Sequence, residues 1–151
     1  KYGFLVRTSV AHVGPKGEYD WEFDELSLDL LENTLAHADV VISMYSTFFI
    51  EAAILDKPLI GIAFDGYKKD LDYDNSARRF FDWNHLQDVK ALNGIWLVNS
   101  RDELIRAVNE YLEHPDKDCQ GRKDIMIQQC QFADGKSAQR AADIILQKLG
   151  N

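Results

Sequence analysis

The chain has 151 residues, a length suited to one domain with a real hydrophobic core. Hydrophobic residues make up 46% and aromatics 11%, so disorder is not the default reading, and 17 basic against 25 acidic residues give a net charge of -8, which argues against nonspecific nucleic-acid binding but not against a small anionic ligand held by local donors. No apolar run approaches the ~20 residues of a membrane span, and no signal-peptide pattern opens the sequence.

Residues 2–8 predict a first strand. The sequence opens inside it, at Tyr2-Gly3-Phe4-Leu5-Val6, as a fragment of a longer polypeptide would. Residues 9–24, with Gly14-Pro15 and Gly17, read as a loop. Ser27 to Ala38 predicts a helix with Leu28, Leu31 and Leu35 on one face. Val40 to Met44 is an unbroken apolar run, the pattern of a parallel strand buried on both faces. Thr47 to Leu55 predicts a helix that Asp56-Lys57-Pro58 ends, and Leu59 to Phe64 is a second buried strand. Strand, helix and strand form a βαβ unit, whose crossover should be right-handed.

Asp65 to Gly94 carries Asp, Tyr, Phe and Arg with little periodicity, and loops of that length are usually functional or mobile. Ile95 to Val98 is a short strand. Ser100 followed three residues on by Glu103 is a capping box that opens a helix from Arg101 to Glu113, stopped by His114-Pro115. Lys117 to Gln131 and Lys136 to Leu149 predict two further helices, split by Asp134-Gly135. Cys119 and Cys130 lack metal-ligand spacing and imply no disulfide framework, which favours a reducing, cytoplasmic setting.

The alternation places the chain in the α/β class, as one Rossmann-like parallel sheet flanked by helices. Ligands of such sheets bind beyond the carboxyl ends of the strands. The residues to inspect are therefore Arg7, Tyr45-Ser46-Thr47, Asp65-Gly66-Tyr67 and Asn99. Ser46 and Thr47 open a helix, where free N–H groups and the helix dipole favour phosphate. A plain N-cap by Ser46 explains the same residues. Glu51 lies one turn below Thr47 and would reach ribose hydroxyls, or simply favour the positive helix end. Arg7 would grip phosphate in a fork, or end its strand in solvent. Arg78-Arg79 would close over an anionic ligand, or neutralise acidic neighbours.

Asp70, Asp72 and Asp74 alternate as in a calcium loop, but Asn75 and Phe81 stand where that loop needs Gly and Glu, so they read as a solvated loop. The histidines at 12, 37, 85 and 114 have no H-x-x-x-H spacing. The sequence also lacks a G-x-G-x-x-G turn, a P-loop, a G-x-S-x-G elbow and a plausible Cys–His pair.

Ala38-Asp39-Val40-Val41-Ile42-Ser43-Met44-Tyr45-Ser46-Thr47, then Glu51-Ala52-Ala53, then Lys57-Pro58-Leu59-Ile60, resembles the C-terminal half of GT-B glycosyltransferases. The likeness is greatest to the CDP-glycerol glycerophosphotransferase-like group that builds teichoic-acid-type polymers. Phe64-Asp65-Gly66-Tyr67, Arg79-Phe80-Phe81, Asn93-Gly94, Ser100 to Val108 and the closing Asp134-Gly135-Lys136-Ser137-Ala138-Gln139-Arg140 are similar to that group in the same order. Three positions depart from its pattern: Thr8-Ser9 follow Arg7 where a His-Pro-like pair is frequent, no Gly separates Arg79 from Phe80, and Phe81 stands for Tyr.

The resemblance implies a donor-binding domain. Ser46 and Thr47, with Tyr45, Arg7, Asp65 and Arg79 nearby, would meet the diphosphate end of a UDP-sugar or CDP-alcohol donor, and Glu51 its ribose. Ser137 and Arg140 would lie near that site or stabilise the closing helix. It implies no metal or other cofactor, an N-terminal half that carries the acceptor site, and peripheral contact with the inner face of the membrane through that half. Two other functions are compatible with the fold. A UDP-N-acetylglucosamine 2-epimerase-type enzyme would need acid/base carboxylates, for which no clear pair stands out. A non-catalytic nucleotide-binding module would need none.

Overall fold

The computed structural model describes residues 25–44, 46–67, 71–82 and 84–150. The strand expected at 2–8, with Arg7 and His12, lies outside them, as do Tyr45, Asp70 and the side chain of Arg78. The backbone groups into two units, Lys1–Ala38 and Asp39–Asn151. In the first, helix α1 spans Glu25–His37, close to the predicted helix, and buries Leu35.

The second unit holds a parallel three-stranded sheet in the order β1 (Val41–Ser43), β2 (Leu59–Ile62), β3 (Trp96–Val98). Val41 pairs with Leu59, and Ile60 with Trp96. Helix α2 (Phe48–Ile54) makes the crossover between β1 and β2. The hydrophobic runs explain this sheet, with one correction. Leu59 and Ile60 in β2 are fully buried, as a central strand requires, but the β1 run is covered unequally: Val41 is buried, whereas on the other face Val40 packs on the core only in part and Ile42 is 44% exposed. An apolar run sets strand propensity, whereas the layers laid against it set burial.

The segment 65–94 is not a plain loop. Two short 3₁₀ turns, Tyr73–Asn75 and Ala77–Phe81, lead to helix α3 (Asn84–Ala91). The Asp72 side chain accepts from the Asn75 N–H at 3.1 Å and so starts the first turn. After β3 come α4 (Arg101–Glu113), α5 (Cys119–Cys130) and α6 (Ser137–Leu149). The Ser100 half of the capping box forms as read, and the Glu103 carboxylate reaches one residue further back than the box has it, to Asn99. The Ser100 hydroxyl accepts from Glu103 N–H at 3.2 Å, and the Glu103 carboxylate accepts from Asn99 N–H at 2.7 Å.

Ile60, Val98, Ala107 and Tyr111 form a buried core between the sheet and α4, with Trp96, Leu104 and Val108 packed on it. Trp96 meets Tyr111 edge-on at 5.6 Å, and Lys117 covers the Trp96 ring at 4.3 Å while pairing with Glu110. Burial, and then the 2.8 Å bond the Tyr111 hydroxyl donates to Asp118, raise the phenol above its ordinary range.

Helix α5 crosses the turn before β3 at backbone distance. A Cβ on Gly121 would lie 2.5 Å from Gly94 N, and one on Gly94 would lie 2.5 Å from the Gly121 carbonyl carbon. Arg122, the next residue, is fully buried. Its Nε donates to Asp56 at 2.8 Å, Nη1 to the Lys117 carbonyl at 2.6 Å and Nη2 to the Pro115 carbonyl at 2.9 Å. That fork ties the turn after α2 to the segment between α4 and α5.

Candidate functional site

The three strands run the same way, so their carboxyl ends form one edge of the second unit. Two features stand on that edge. The first follows β1. Ser46 caps α2, its hydroxyl accepting from Phe48 N–H at 3.2 Å and its carbonyl from Phe49 N–H at 3.1 Å. Thr47 takes helical backbone angles, is exposed, and makes no side-chain cap bond. Glu51 is exposed one turn on. The capping role of Ser46 is therefore realised, and it leaves the Thr47 hydroxyl open beside it.

The second feature is a cavity of about 850 Å³ past the ends of β2 and β3. Its volume falls in the range of small-molecule sites, roughly 300–1,000 Å³. Ala63, Phe64, Phe81 and Leu97 supply apolar wall, and Asp65, Asp82, Lys90 and Asn99 supply polar groups. The polar groups are not equally available. Both Asp65 oxygens are engaged, accepting from the Ser76 hydroxyl at 2.9 Å and the Ala77 N–H at 2.6 Å, so Asp65 holds the second 3₁₀ turn in place. One Asp82 oxygen accepts from the Tyr73 hydroxyl at 3.0 Å, which raises the Tyr73 phenol. Lys90 forms no ion pair among the described residues, and the Asn99 side chain no hydrogen bond.

Of the residues expected from the sequence, Asp65 lines the cavity, whereas Ser46, Thr47 and Glu51 gather at the start of α2. Arg79 stacks on Phe80 at 4.7 Å and donates to the Asp74 carbonyl. Ser137 and Arg140 line no part of the cavity. Ser137 is the exposed first residue of α6, and Arg140 forks onto Asp134 at 2.9 and 3.0 Å and covers Phe132 at 4.4 Å. That pairing, with the Lys136 N–H, holds the Asp134 carboxyl down at about 2. Gly135 supplies the positive φ of 70° that the turn into α6 requires. Asp82 and Lys90 were not indicated by sequence. Asp65 and Asn99 carried a signal as residues after strands, and Phe64 and Phe81 as parts of the family-like stretches 64–67 and 79–81.

A family model described as CDP-Glycerol:Poly(glycerophosphate) glycerophosphotransferase matches residues 24–147. The chain belongs to this family. Comparisons with curated proteins and with solved structures returned no match. Membership makes the chain a glycerophosphotransferase-type transferase that draws on a nucleotide-diphosphate donor. The glycerophosphotransferase match takes in both features of the carboxyl edge, the α2 start and the cavity, and the Asp134–Arg140 turn. Among the described residues no His, Cys, Asp or Glu cluster is arranged to hold a metal, and no helix is long and apolar enough to cross a membrane.

Proposed function

We propose that this chain is the donor-binding part of a transferase that moves a glycerophosphate group from a CDP-alcohol donor to a polymer or lipid-linked acceptor. The observation that carries the reading is the pairing of a capped helix start with a lined cavity on one carboxyl edge of a parallel sheet, inside the span that matches the family. The diphosphate lies against Thr47 and the start of α2, and Glu51 accepts from the ribose. Hydroxyl and N–H donors there stabilise the charge that grows on the departing nucleotide. A partner half of GT-B type supplies the acceptor site and the general base. A glycosyl group carried by a UDP donor is the variant of this reading that the same edge would also accommodate.

The test is a titration of the chain with CDP, UDP and GDP, following the amide signals of Ser46, Thr47 and Glu51. Saturable shifts at all three are expected with at least one nucleotide. Silence at millimolar concentration places the donor elsewhere. Thr47→Asp, which sets a carboxylate against the diphosphate, should abolish binding, and unchanged affinity would sink the assignment of Thr47.

A further inference from the structure

We propose that Asn93 is a spontaneous deamidation site whose reaction is gated by the crossing of α5 over the turn before β3. Two structural demands put a reactive dipeptide there. The turn after α3 holds a residue at positive φ, and Asn93 takes it at 55°. Asparagine is among the few residues besides glycine that tolerate this region. The next residue must lack a side chain, because a Cβ on Gly94 would lie 2.5 Å from the Gly121 carbonyl carbon and 2.6 Å from the Arg122 nitrogen. Asn93-Gly94 is the one asparagine–glycine pair in the sequence. Asn33, Asn75, Asn84, Asn99 and Asn109 each precede a residue with a side chain.

Such a pair is labile because glycine, with no Cβ, leaves its backbone nitrogen unshielded. The Gly94 N–H gives its proton to solvent base, and the nitrogen attacks Asn93 Cγ. The new N–C bond forms as the bond from Cγ to Nδ2 breaks, and Nδ2 takes up a proton and leaves as ammonia. The product is a five-membered succinimide. Water then adds to one or the other ring carbonyl. One opening gives aspartate, and the other gives isoaspartate, in which the main chain runs through the side-chain carbon.

The fold stands in the way of the first step. Attack requires the peptide between 93 and 94 to turn until its nitrogen meets Cγ. That peptide is wedged against α5: a Cβ on Gly121 would lie 2.5 Å from Gly94 N, from Asn93 C and from the Leu92 carbonyl oxygen. Gly94 is buried, which keeps solvent base from its N–H. Asn93 is exposed, but its side-chain amide donates to the Ala91 carbonyl at 3.3 Å and its N–H to the Lys90 carbonyl at 3.3 Å. Reaction therefore waits for α5 to lift, a local opening that costs less than global unfolding. The isoaspartate product cannot close again. It adds one carbon to the main chain where two backbones already meet without room for a methyl group. It parts the crossing beside the Arg122 fork, and it shifts Lys90 of α3 against Asn99 after β3, both of which line the cavity.

The experiment ages the intact chain at mildly alkaline pH, in buffer and in unfolding urea, and follows deamidation at each asparagine by mass spectrometry. In urea, Asn93 should react first. In buffer it should react at least about tenfold more slowly than in urea, as protection by a closed local structure requires. Gly121→Ala, which presses the crossing apart, should speed the reaction in buffer by about threefold or more. If that variant does not fold, Arg122→Met, which frees the adjoining fork, takes its place with the same expectation. Leu59→Ala, a core truncation away from the crossing, should leave the rate unchanged. Asn93→Asp, which copies the aspartate product, should melt with the parent, whereas purified chain with isoaspartate at position 93 should melt about 4 °C or more lower. Absence of preferred reaction at Asn93 in urea overturns the site. Equal rates in buffer and urea, no acceleration in the crossing variant that folds, equal acceleration by Leu59→Ala, or an isoaspartate chain that melts with the parent overturns the gate.

Discussion

Arg122 shows how much of this unit hangs on one side chain. A guanidinium with no exposure is tolerated only when its donors are answered, and Asp56 with the Pro115 and Lys117 carbonyls answers them. The partners are unequal: Arg122 is 1% exposed in its side chain and Asp56 is 52% exposed. Arg122→Met leaves two carbonyls without donors and should cost about 2–4 kcal/mol in urea unfolding. Asp56→Asn should cost less than about 1 kcal/mol, because water reaches that carboxylate. The opposite ranking would mean that the charge pair outweighs the carbonyl contacts. Asp134 makes a pH prediction. Its carboxyl is held at about 2, below its ordinary 3.8, first by the Arg140 bonds and then by the Lys136 N–H. A depressed acid stabilises the folded form at pH above the ordinary value and stops doing so as pH falls through the depressed one. The turn into α6 should therefore stay closed until about pH 2, and the Asp134 carboxyl carbon should titrate there in an NMR series. Arg140→Gln should return the midpoint toward 3.8, and a midpoint already near 3.8 in the parent would show the fork to be open in solution.

At the scale of elements, legibility followed locality. The pair Ser100 and Glu103 is written in four consecutive residues, and the Ser100 cap forms as the spacing requires, with Glu103 turned back to Asn99. The hydrophobic runs that become β1 and β2 were equally plain, although only neighbours in space decide that Ile42 is left uncovered. Helix α3 was missed because Asn84 to Ala91 is short and polar, with Val89 its one buried position among the described side chains. The glycine contact between α5 and the turn at 92–94 has no local signature at all, since Gly94 and Gly121 matter only to each other. Gly121→Ala would press a methyl onto Gly94 N, Asn93 C and Leu92 O, all backbone atoms that cannot swing aside. It should destabilise by about 3 kcal/mol or more, visible as a lowered urea midpoint. A midpoint within error of the parent would mean that the two segments part without loss.

At the scale of the molecule, the cavity explains why a site is harder to read than a fold. Its lining comes from four separate stretches, 63–65, 81–82, 90 and 97–99. Asp65 and Asn99 could be anticipated from the rule that ligands sit after strands, but Lys90 rides on the helix that the sequence did not disclose. Helix α6 poses the reverse case: its Ser137 and Arg140, read as near the donor or as stabilising the closing helix, line no part of the cavity. Ile144, Ile145, Leu146 and Leu149 are 57–78% exposed, and only Arg140 is even half-buried. A chain ending at Gln131 should then keep its core of Ile60, Val98, Ala107 and Tyr111 and melt within about 2 °C of the parent. A larger drop would show that α6 packs on the core in solution. The nucleotide affinity of the same truncation decides whether Ser137 and Arg140 take part in donor binding, because a loss with the core intact keeps them in the site and no change removes them.

The fork from Arg122 to Asp56 joins residues 66 apart in sequence. If so distant a contact forms only after the folding barrier, it changes the unfolding rate and not the folding rate. Arg122→Met should then leave the refolding rate nearly untouched and speed unfolding in a stopped-flow chevron, and slowed refolding would place the fork before the barrier. On that outcome Arg122 would set the lifetime of the folded state more than the ease of reaching it.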